Sequence, residues 1–197
     1  MSSDPETSGA QGATGREGVQ EKVLYTEEEM RRAISRLAHE IIERNGGAGD
    51  LLLVGMRTRG VPISQRLAAK IEEFEGAQVP TVMLDITDFR DDRPGRAVAY
   101  SKPREPLAAE VAGSVVVLVD DVLFTGRTAR AAMEALLAYG RPRKVQLAVL
   151  VDRGHRELPI RADYVGKNVP TAMSESIRVR LRETDGYDAV LLVRQPE

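Results

Sequence analysis

Apolar residues recur at helical spacing early in the chain and then gather into short continuous runs. Thr26 and Glu29 form a Thr-x-x-Glu capping box, which predicts the start of a helix. Apolar positions continue at intervals of three and four residues as far as Ile41, and Gly46-Gly47 ends the pattern. We therefore predict an amphipathic helix between Thr26 and Gly46.

The middle of the chain alternates short apolar runs with helical patterns. Strands are predicted at 51–54, about 79–86, 115–119 and 145–151, and helices through 63–71 and over 127–139, closed by Gly140. The runs show no polar alternation, which is typical of strands that are buried on both faces. The fold class that follows is α/β, with a central parallel sheet covered by helices on both faces.

The two ends of the chain follow other patterns. Residues 1–20 are rich in Gly, Ser and Thr and almost without apolar side chains, so we expect a disordered tail before a single domain at 21–197. Near the C-terminus, apolar residues alternate with arginines over 177–182, which predicts a strand with one wet face. Residues 189–193 would pair with it as a hairpin across Asp185-Gly186. We interpret 152–197 as an appendage to the sheet.

Composition narrows the class of protein. The chain has 197 residues, of which 42% are hydrophobic and 29% charged, as is usual for a globular domain. The absence of cysteine excludes disulfides, thiolate metal sites and thiol nucleophiles, and fits a cytoplasmic protein. No apolar run reaches about 18 residues and no signal-peptide pattern opens the chain, so we expect no membrane partner.

Charge is distributed unevenly around a net value of −2. The first 30 residues hold seven acidic and two basic side chains, so the rest of the chain carries a net +3. Most of its basic residues are arginines, whose planar fork of donors suits phosphate groups. The alternative is that these arginines are solubilising surface charges.

The predicted strand at 115–119 leads into the candidate chemistry, the segment Asp120-Asp121-Val122-Leu123-Phe124-Thr125-Gly126-Arg127-Thr128. Ligands of open α/β sheets bind at the carboxyl ends of the strands. There, backbone N–H groups and the two threonine hydroxyls can hold a phosphate at the start of a helix. Paired carboxylates would repel a phosphate, but they accept hydrogen bonds from a ribose diol. The alternative is an acidic pair on an ordinary strand–helix loop.

At these residues the chain resembles the type I phosphoribosyltransferases, which use 5-phosphoribosyl 1-pyrophosphate (PRPP). The resemblance implies a parallel core sheet, a flexible loop and a hood over the base. It implies that Asp120 and Asp121 hold the ribose hydroxyls and that 124–128 hold the 5-phosphate. It also implies Mg²⁺ bound through the pyrophosphate, with Asp120 and Asp121 as candidate ligands.

Two further segments gain meaning from this resemblance. The turn from Gly55 to Gly60 ends a strand at the same edge of the sheet, so Arg57, Thr58 and Arg59 are candidates for binding pyrophosphate. By itself it is equally an ordinary entry to a helix. The long charged segment 88–110 corresponds to the loop that closes over PRPP, and Arg90 joins Asp120 and Asp121 as a catalytic candidate. The alternative for this segment is a solvated charged loop.

Four stretches narrow the resemblance to the PyrR proteins, bacterial regulators of pyrimidine operons with uracil phosphoribosyltransferase activity. They are Asp85-Ile86-Thr87, Arg90-Asp91-Asp92, residues 120–128 and residues 149–168. Phe124 stands where purine-salvage relatives carry an acid, which argues against a 6-oxopurine substrate. It also stands where many PyrR proteins have tyrosine, a departure that removes a hydroxyl near the 5-phosphate.

The resemblance implies a reaction and a regulatory role. The reaction is PRPP + uracil → UMP + pyrophosphate, with Asp152, Arg153, Thr171 and Ser174 as candidates for the base pocket. The partner implied for UMP- or UTP-bound protein is a stem-loop in the leader mRNA of pyrimidine genes, and the complex terminates transcription. The matching RNA-contact positions are Ser35, Arg36, His39, Arg44, Thr58, His155, Arg156, Arg161 and Lys167.

Two alternatives to this function stay open. One is a regulatory nucleotide sensor that binds UMP and RNA with negligible turnover, and the other is a base-salvage enzyme without an RNA role. His39 and His155 have an ordinary alternative as hydrogen-bonded surface histidines. The family also forms dimers and larger assemblies, so we expect a homo-oligomer.

Overall fold

A computed structural model describes residues 20–56, 58–91 and 107–194. The strands are β1 Gln20–Tyr25, β2 Leu51–Met56, β3 Thr81–Leu84, β4 Val115–Leu123, β5 Lys144–Asp152, β6 Tyr164–Asn168, β7 Glu175–Arg180 and β8 Ala189–Arg194. The helices are α1 Glu27–Asn45, α2 Gly60–Glu75, α3 Arg127–Leu137 and α4 Arg182–Asp185, with a 3₁₀ turn at Thr87–Phe89. Within these ranges no helix is long and apolar enough to cross a membrane.

The central sheet is parallel, in the order β3-β2-β4-β5-β6. Its alternating side chains enter two separate cores. Leu53 and Val117 pack with the apolar stripes of α1 and α2, whereas Leu52 and Val116 pack with α3. The predicted parallel sheet flanked by helices is confirmed, and α1 buries the apolar face that its spacing predicted.

A second sheet is antiparallel, in the order β1-β8-β7. The predicted C-terminal hairpin is present, with α4 inserted between its strands and Gly186 in the left-handed region at φ 83°. The sequence pattern missed β1, which begins at Gln20 inside the stretch predicted as a tail. The rest of that tail, residues 1–19, lies outside the described residues, as do 92–106 of the predicted flexible loop.

Other element boundaries differ from the prediction by a few residues, and strand β6 was not predicted. Helix α3 ends at Leu137, two residues early, and β3 covers only 81–84. Strand β6 forms the fifth strand of the parallel sheet, within the region that we interpreted as an appendage. Gly166 lets it lie close to β5, because a Cβ there would be 2.3 Å from the carbonyl oxygen of Leu150.

The turn between β2 and α2 lies directly against β4. A Cβ on Gly60 would come within 2.2 Å of the carbonyl oxygen of Val119, and one on Gly55 within 2.6 Å of the Cα of Val61. Real Cβ atoms do not approach backbone so closely, so these positions accept only glycine. The turn is therefore held against the middle of β4, at the residue before Asp120.

Candidate functional site

Two adjacent carboxylates, Asp120 and Asp121, lie in the second half of β4, which extends to Leu123, four residues beyond the predicted strand. The N–H of Asp121 donates to Asp120 Oδ1 at 2.9 Å, and the N–H of Val122 donates to Asp121 Oδ1 at 2.8 Å. Burial raises the pKa of both carboxyl groups, and repulsion from Asp121 raises the pKa of Asp120 further. A ligand that donates hydrogen bonds here, or a bound cation, would relieve this unfavourable charge.

The loop after the carboxylates prepares the start of α3 for an anion. Gly126 has φ 91°, and α3 begins at the next residue with no side-chain cap and no acid in its first turn. First-turn N–H groups have no acceptor within their own helix, and the helix dipole favours negative charge there. The only side-chain contact recorded for these amides in the described ranges is a long one, 3.4 Å from Arg127 N to Thr125 Oγ1.

One cavity of about 400 Å³ opens beside this loop. It is lined by Asp120, by Val122, Leu123, Phe124, Thr125, Gly126, Arg127 and Thr128, and by Arg90. Most of the PRPP candidates predicted from the sequence thus surround a single space. Glu157 also lines the cavity and holds the guanidinium of Arg127 at 2.6 Å, with Asp91 at 2.9 Å. Sequence analysis assigned no role to these two acids, although both lie within the stretches that resemble PyrR proteins.

The candidates in the β2–α2 turn are arranged differently. Thr58 is exposed at the edge of the sheet, and Arg57 lies outside the described residues. The side chain of Arg59 extends to the second sheet, where Nε donates to the Val179 carbonyl at 2.8 Å and Nη2 to Asp185 at 3.1 Å. Its charge nevertheless acts on Asp121, where it opposes the rise in pKa. The contact between Arg59 and Asp185 was not foreseen from the sequence.

Three of the four base-pocket candidates come together after β5. Arg153 is buried, and its Nε donates to Thr171 Oγ1 at 3.0 Å. Its guanidinium carbon lies 4.1 Å from the centre of the Phe124 ring, so it connects these candidates to the loop that precedes α3. Asp152 ends β5 beside it, whereas Ser174 is exposed just before β7.

His155 and Arg156 hold the loop that follows β5 in place. Arg156 donates to the Phe124 carbonyl at 2.7 Å and to the Ile160 carbonyl at 2.9 Å, and pairs with Asp152. His155 adopts φ 59°, and its Nε2 lies 2.6 Å from the carbonyl oxygen of Thr171. These predicted RNA contacts therefore also serve the fold. A cavity of about 540 Å³ is lined by His155, Arg156, Arg161, Asp152, Arg153 and Thr171, among others.

Of the remaining RNA candidates, Arg36, Arg44 and Lys167 form a cationic face on α1 and the edge strand β6, whereas Thr58 and Arg161 lie outside these elements. Arg36 Nη2 donates to the Gly166 carbonyl at 2.6 Å, and Arg44 pairs with Asp163 at 2.9 Å. Lys167 lies in β6 itself, and its Nζ donates to the Leu24 carbonyl at 3.1 Å. Ser35 and His39 lie on the same helix, with the His39 ring stacked 3.8 Å from that of Phe74.

The residues at the end of β4 fit a magnesium ion that takes other ligands from its substrate. Among the described residues, no group of three or more His, Cys, Asp or Glu side chains could hold a metal ion. Asp120 and Asp121 supply two carboxylates at one point, and Mg²⁺ commonly binds through one or two carboxylates plus phosphate oxygens. Burial raises the pKa of both carboxyl groups, although Arg90 opposes this for Asp120 and Arg59 for Asp121, so a bound cation would further favour the ionised forms.

Known proteins share both the fold and the sequence. Residues 21–182 match the family described as Phosphoribosyl transferase domain. The chain is 58% identical over 174 residues to the Bifunctional protein PyrR of Chloroflexus aurantiacus, covering 88% of this chain and 96% of that protein. It is 55% identical over 169 residues to the Bifunctional protein PyrR of Thermus thermophilus, covering 86% and 93%.

A solved hypoxanthine phosphoribosyltransferase from Trypanosoma cruzi has the same fold. Its TM-score is 0.67 at 22% identity, over 89% of this chain and 97% of that one. The parallel sheet and helices described above are thus those of the phosphoribosyltransferases. Together with the relatives above 50% identity, these matches establish that the chain belongs to the PyrR family of phosphoribosyltransferases.

Proposed function

We propose that the protein transfers a phosphoribosyl group from PRPP to uracil, giving UMP and pyrophosphate, and that its UMP-bound form regulates pyrimidine genes by binding their leader RNA. The observation that carries the enzymatic part is the order of groups along β4. The paired carboxylates Asp120 and Asp121 lie just before the last two residues of the strand, Val122 and Leu123, and the uncapped start of α3 follows at Arg127. Relatives that share more than half of their residues with this chain are named bifunctional PyrR proteins.

The site residues predicted from the sequence have distinct roles in this reaction. Asp120 and Asp121 accept hydrogen bonds from the ribose hydroxyls and stabilise the oxocarbenium-like transition state. The amides and hydroxyls of Phe124–Thr128 bind the 5-phosphate and fix the ribose in position. Thr58, with the backbone of Arg57 and Arg59, binds the departing pyrophosphate, and Arg90 adds positive charge beside it. Mg²⁺ held by the pyrophosphate and Asp120 or Asp121 would neutralise charge on the leaving group.

Uracil would lie beneath Asp152, Arg153, Thr171 and Ser174. Phe124 supports this choice of base, because purine-salvage relatives carry at this position an acid that handles the purine N7 proton. Uracil can lose its N1 proton to solvent or to pyrophosphate, so a dedicated base is not required. The guanidinium of Arg153, held over the Phe124 ring, would connect recognition of the base to the phosphate loop.

The enzymatic proposal is tested by incubating the protein with radiolabelled uracil, PRPP and Mg²⁺. We expect labelled UMP to form in proportion to the protein added. Replacing uracil with labelled hypoxanthine serves as the control for the choice of base, and little product is expected. UMP binding without conversion of uracil would instead favour the regulatory sensor without turnover.

The cationic face of α1 and β6 supports the RNA-binding part. Arg36, Arg44 and Lys167 are exposed there, and Arg161 is exposed beside the larger cavity. Arginine and lysine contacts to phosphates make binding fall steeply with salt concentration. The unstacked loop of a hairpin is the expected target, because duplex RNA hides most of its base edges from side chains.

A gel-shift titration of the cognate leader RNA, with and without UMP, tests this part. We expect UMP to increase the affinity, and Lys167→Gln to weaken binding and reduce its salt dependence. Lys144→Gln, at the amino-terminal end of β5, is the control, because it removes the same charge seven residues from Val151, the partner of Lys167 in the sheet. If RNA does not bind at any UMP concentration, the salvage enzyme without an RNA role becomes the better explanation. The oligomer that we propose is checked by light scattering on the same samples.

A further inference from the structure

Asp185, the last residue of α4, is the centre of a dense set of hydrogen bonds. Leu181 N donates to its Oδ2 at 3.0 Å, Thr184 Oγ1 at 2.9 Å, and Arg180 Nη1 donates to Oδ1 at 2.8 Å. Arg59 Nη2 lies 3.1 and 3.2 Å from its two oxygens. The side chain is only 9% exposed, and these hydrogen bonds hold its pKa well below the usual range. Asp185 is therefore ionised across the whole physiological range.

The Arg59 side chain is consequently held by two groups of the C-terminal hairpin, Asp185 in α4 and the Val179 carbonyl in β7. Asp185 holds one terminal nitrogen, and the Val179 carbonyl on β7 accepts from Nε. Arg59 directly follows Thr58 and directly precedes α2, so anchoring its side chain also restricts the backbone of the turn. The charge of Arg59 also reaches Asp121.

We propose that Asp185 is a positioning residue for pyrophosphate. It orients Arg59 and thereby sets the conformation of the β2–α2 turn that receives the leaving group. The second sheet would then act on the reacting end of PRPP in addition to covering the base. This inference rests on the proposed function, since it assumes that the turn binds pyrophosphate.

A second arginine–aspartate pair joins the same two parts of the molecule and offers a matched control. Arg66 Nη2 lies 2.7 Å from Asp188 Oδ1, and Asp188 also accepts from Arg182 N at 2.8 Å. Asp188 is 10% exposed, nearly the same as Asp185. Arg66 follows Arg59 by seven residues, which places it about 10 Å farther along α2. Loss of this pair should affect stability without reaching the turn.

The experiment compares Asp185→Asn with Asp188→Asn in steady-state kinetics. For Asp185→Asn we expect the KM for PRPP and the inhibition constant of pyrophosphate to rise by roughly tenfold or more, because small displacements of binding groups are costly. The KM for uracil should stay close to that of the wild type. For Asp188→Asn all three constants should be unchanged. Equal effects of the two variants, or equal effects on PRPP and uracil, would overturn the proposal.

Two further measurements protect the test against a folding defect. Asp185→Glu keeps the charge, so it should fold and show a smaller loss in the same direction. In addition, Arg59→Lys and the double variant Arg59→Lys/Asp185→Asn form a double-mutant cycle. If Asp185 acts through Arg59, its substitution adds little in the lysine background. Full additivity of the two effects on the PRPP constants would contradict that route.

Calorimetric titration with pyrophosphate and Mg²⁺ separates this inference from the proposed reaction, because it requires no turnover. A wild-type protein that binds pyrophosphate but does not convert uracil would refute the reaction. A selective loss of pyrophosphate affinity in Asp185→Asn would still support the positioning role. Conversely, normal pyrophosphate affinity in a folded Asp185→Asn protein refutes the positioning role alone.

Discussion

Helix α1 begins with a complete capping box and three glutamates in its first turn, whereas α3 begins with neither. At α1, Thr26 N donates to Glu29 at 2.8 Å and Glu29 N donates to Thr26 Oγ1 at 3.3 Å. At α3, the preceding residue is Gly126, whose positive φ turns the chain and which has no side chain to cap the helix, although its carbonyl accepts from Arg130 N at 3.0 Å. The start of α1 is thus capped by the Thr26 side chain, whereas the first amides of α3 have no such cap and remain for a ligand.

Helix α2 resembles α3 in this respect. Its start has no side-chain cap and no acid, and it follows β2, which pairs with β4 in the sheet. Two uncapped helix starts therefore lie next to each other at the carboxyl edge of the sheet, and the capped start of α1 follows β1 of the other sheet. This comparison indicates that uncapped helix starts mark a candidate ligand-binding site when the helices follow neighbouring strands of one sheet.

The largest expected effect comes from Asp121→Asn, at the uncapped side of the comparison. We expect transferase activity to fall by about 100-fold or more, because a carboxylate that stabilises positive charge in the transition state is lost. The protein should stay folded, since the amide oxygen can still accept from Val122 N. Uracil conversion and circular dichroism measure the two outcomes. Glu29→Gln, at the capped side, should leave activity unchanged, and wild-type turnover in Asp121→Asn would refute the role of this residue.

An exchange between the two helices gives the next largest effect. Glu28 and Thr128 are the second residues of α1 and α3. Thr128→Glu should weaken UMP binding about tenfold or more, or about 1.4 kcal/mol, because a carboxylate would compete with phosphate for the free amides. It should also stabilise the unliganded protein by about 0.3–1 kcal/mol.

The reverse change, Glu28→Thr, is the matched control for that exchange. It should destabilise the protein by a similar small amount and leave UMP affinity as it is. Calorimetry measures the affinity and urea denaturation the free energy of unfolding. If Thr128→Glu binds UMP normally, the start of α3 is not the phosphate site.

The smallest expected effect concerns the pH dependence of stability, which should differ in sign between Asp121 and Glu29. Burial raises the pKa of Asp121, so its contribution to stability is fully present below about pH 3.9 and is lost as the pH rises through the raised value. Hydrogen bonds from Thr26 lower the pKa of Glu29, so its contribution is present above about pH 4.3 and is lost as the pH falls.

Melting temperatures across this pH range, without ligands, test the two signs. Relative to the wild type, Asp121→Asn should gain stability as the pH rises, whereas Glu29→Gln should show its deficit mainly at neutral pH. The double variant should show both trends, because the two sites share no contact in the described residues. Parallel curves for the two single variants would contradict the opposite signs.

Local patterns predicted the helices and the buried strands well. The capping box and the spacing of apolar residues identified α1, and the apolar run before Asp120 identified β4. Strands β1 and β6 were missed for a physical reason. Gln20 pairs with Arg194, and Tyr164 pairs with Ala148, so each strand depends on a partner that its own short sequence does not reveal. In β6, Gly166 further weakened the local signal for a strand.

The candidate site was predicted only where it is continuous in sequence. Asp120 to Thr128 form one uninterrupted segment, most of which lines one cavity, and their role in binding PRPP stays a prediction. The contacts of Arg59 with Asp185 and of Arg156 with Phe124 join distant parts of the chain, and no local pattern encodes them. The resemblance predicted Arg156 as an RNA contact. The sequence could not show that its guanidinium donates to the carbonyls of Phe124 and Ile160.

Gly60 fixes the spacing between two parts of the candidate site, the turn after β2 and strand β4. The main chain at Gly60 packs directly on the main chain of Val119, so no side chain separates the turn after β2 from β4. In the proposed function, the turn binds the pyrophosphate of PRPP and the carboxylates of β4 bind its ribose. The spacing between these two binding groups would therefore be set by main-chain packing and not by the length of any side chain.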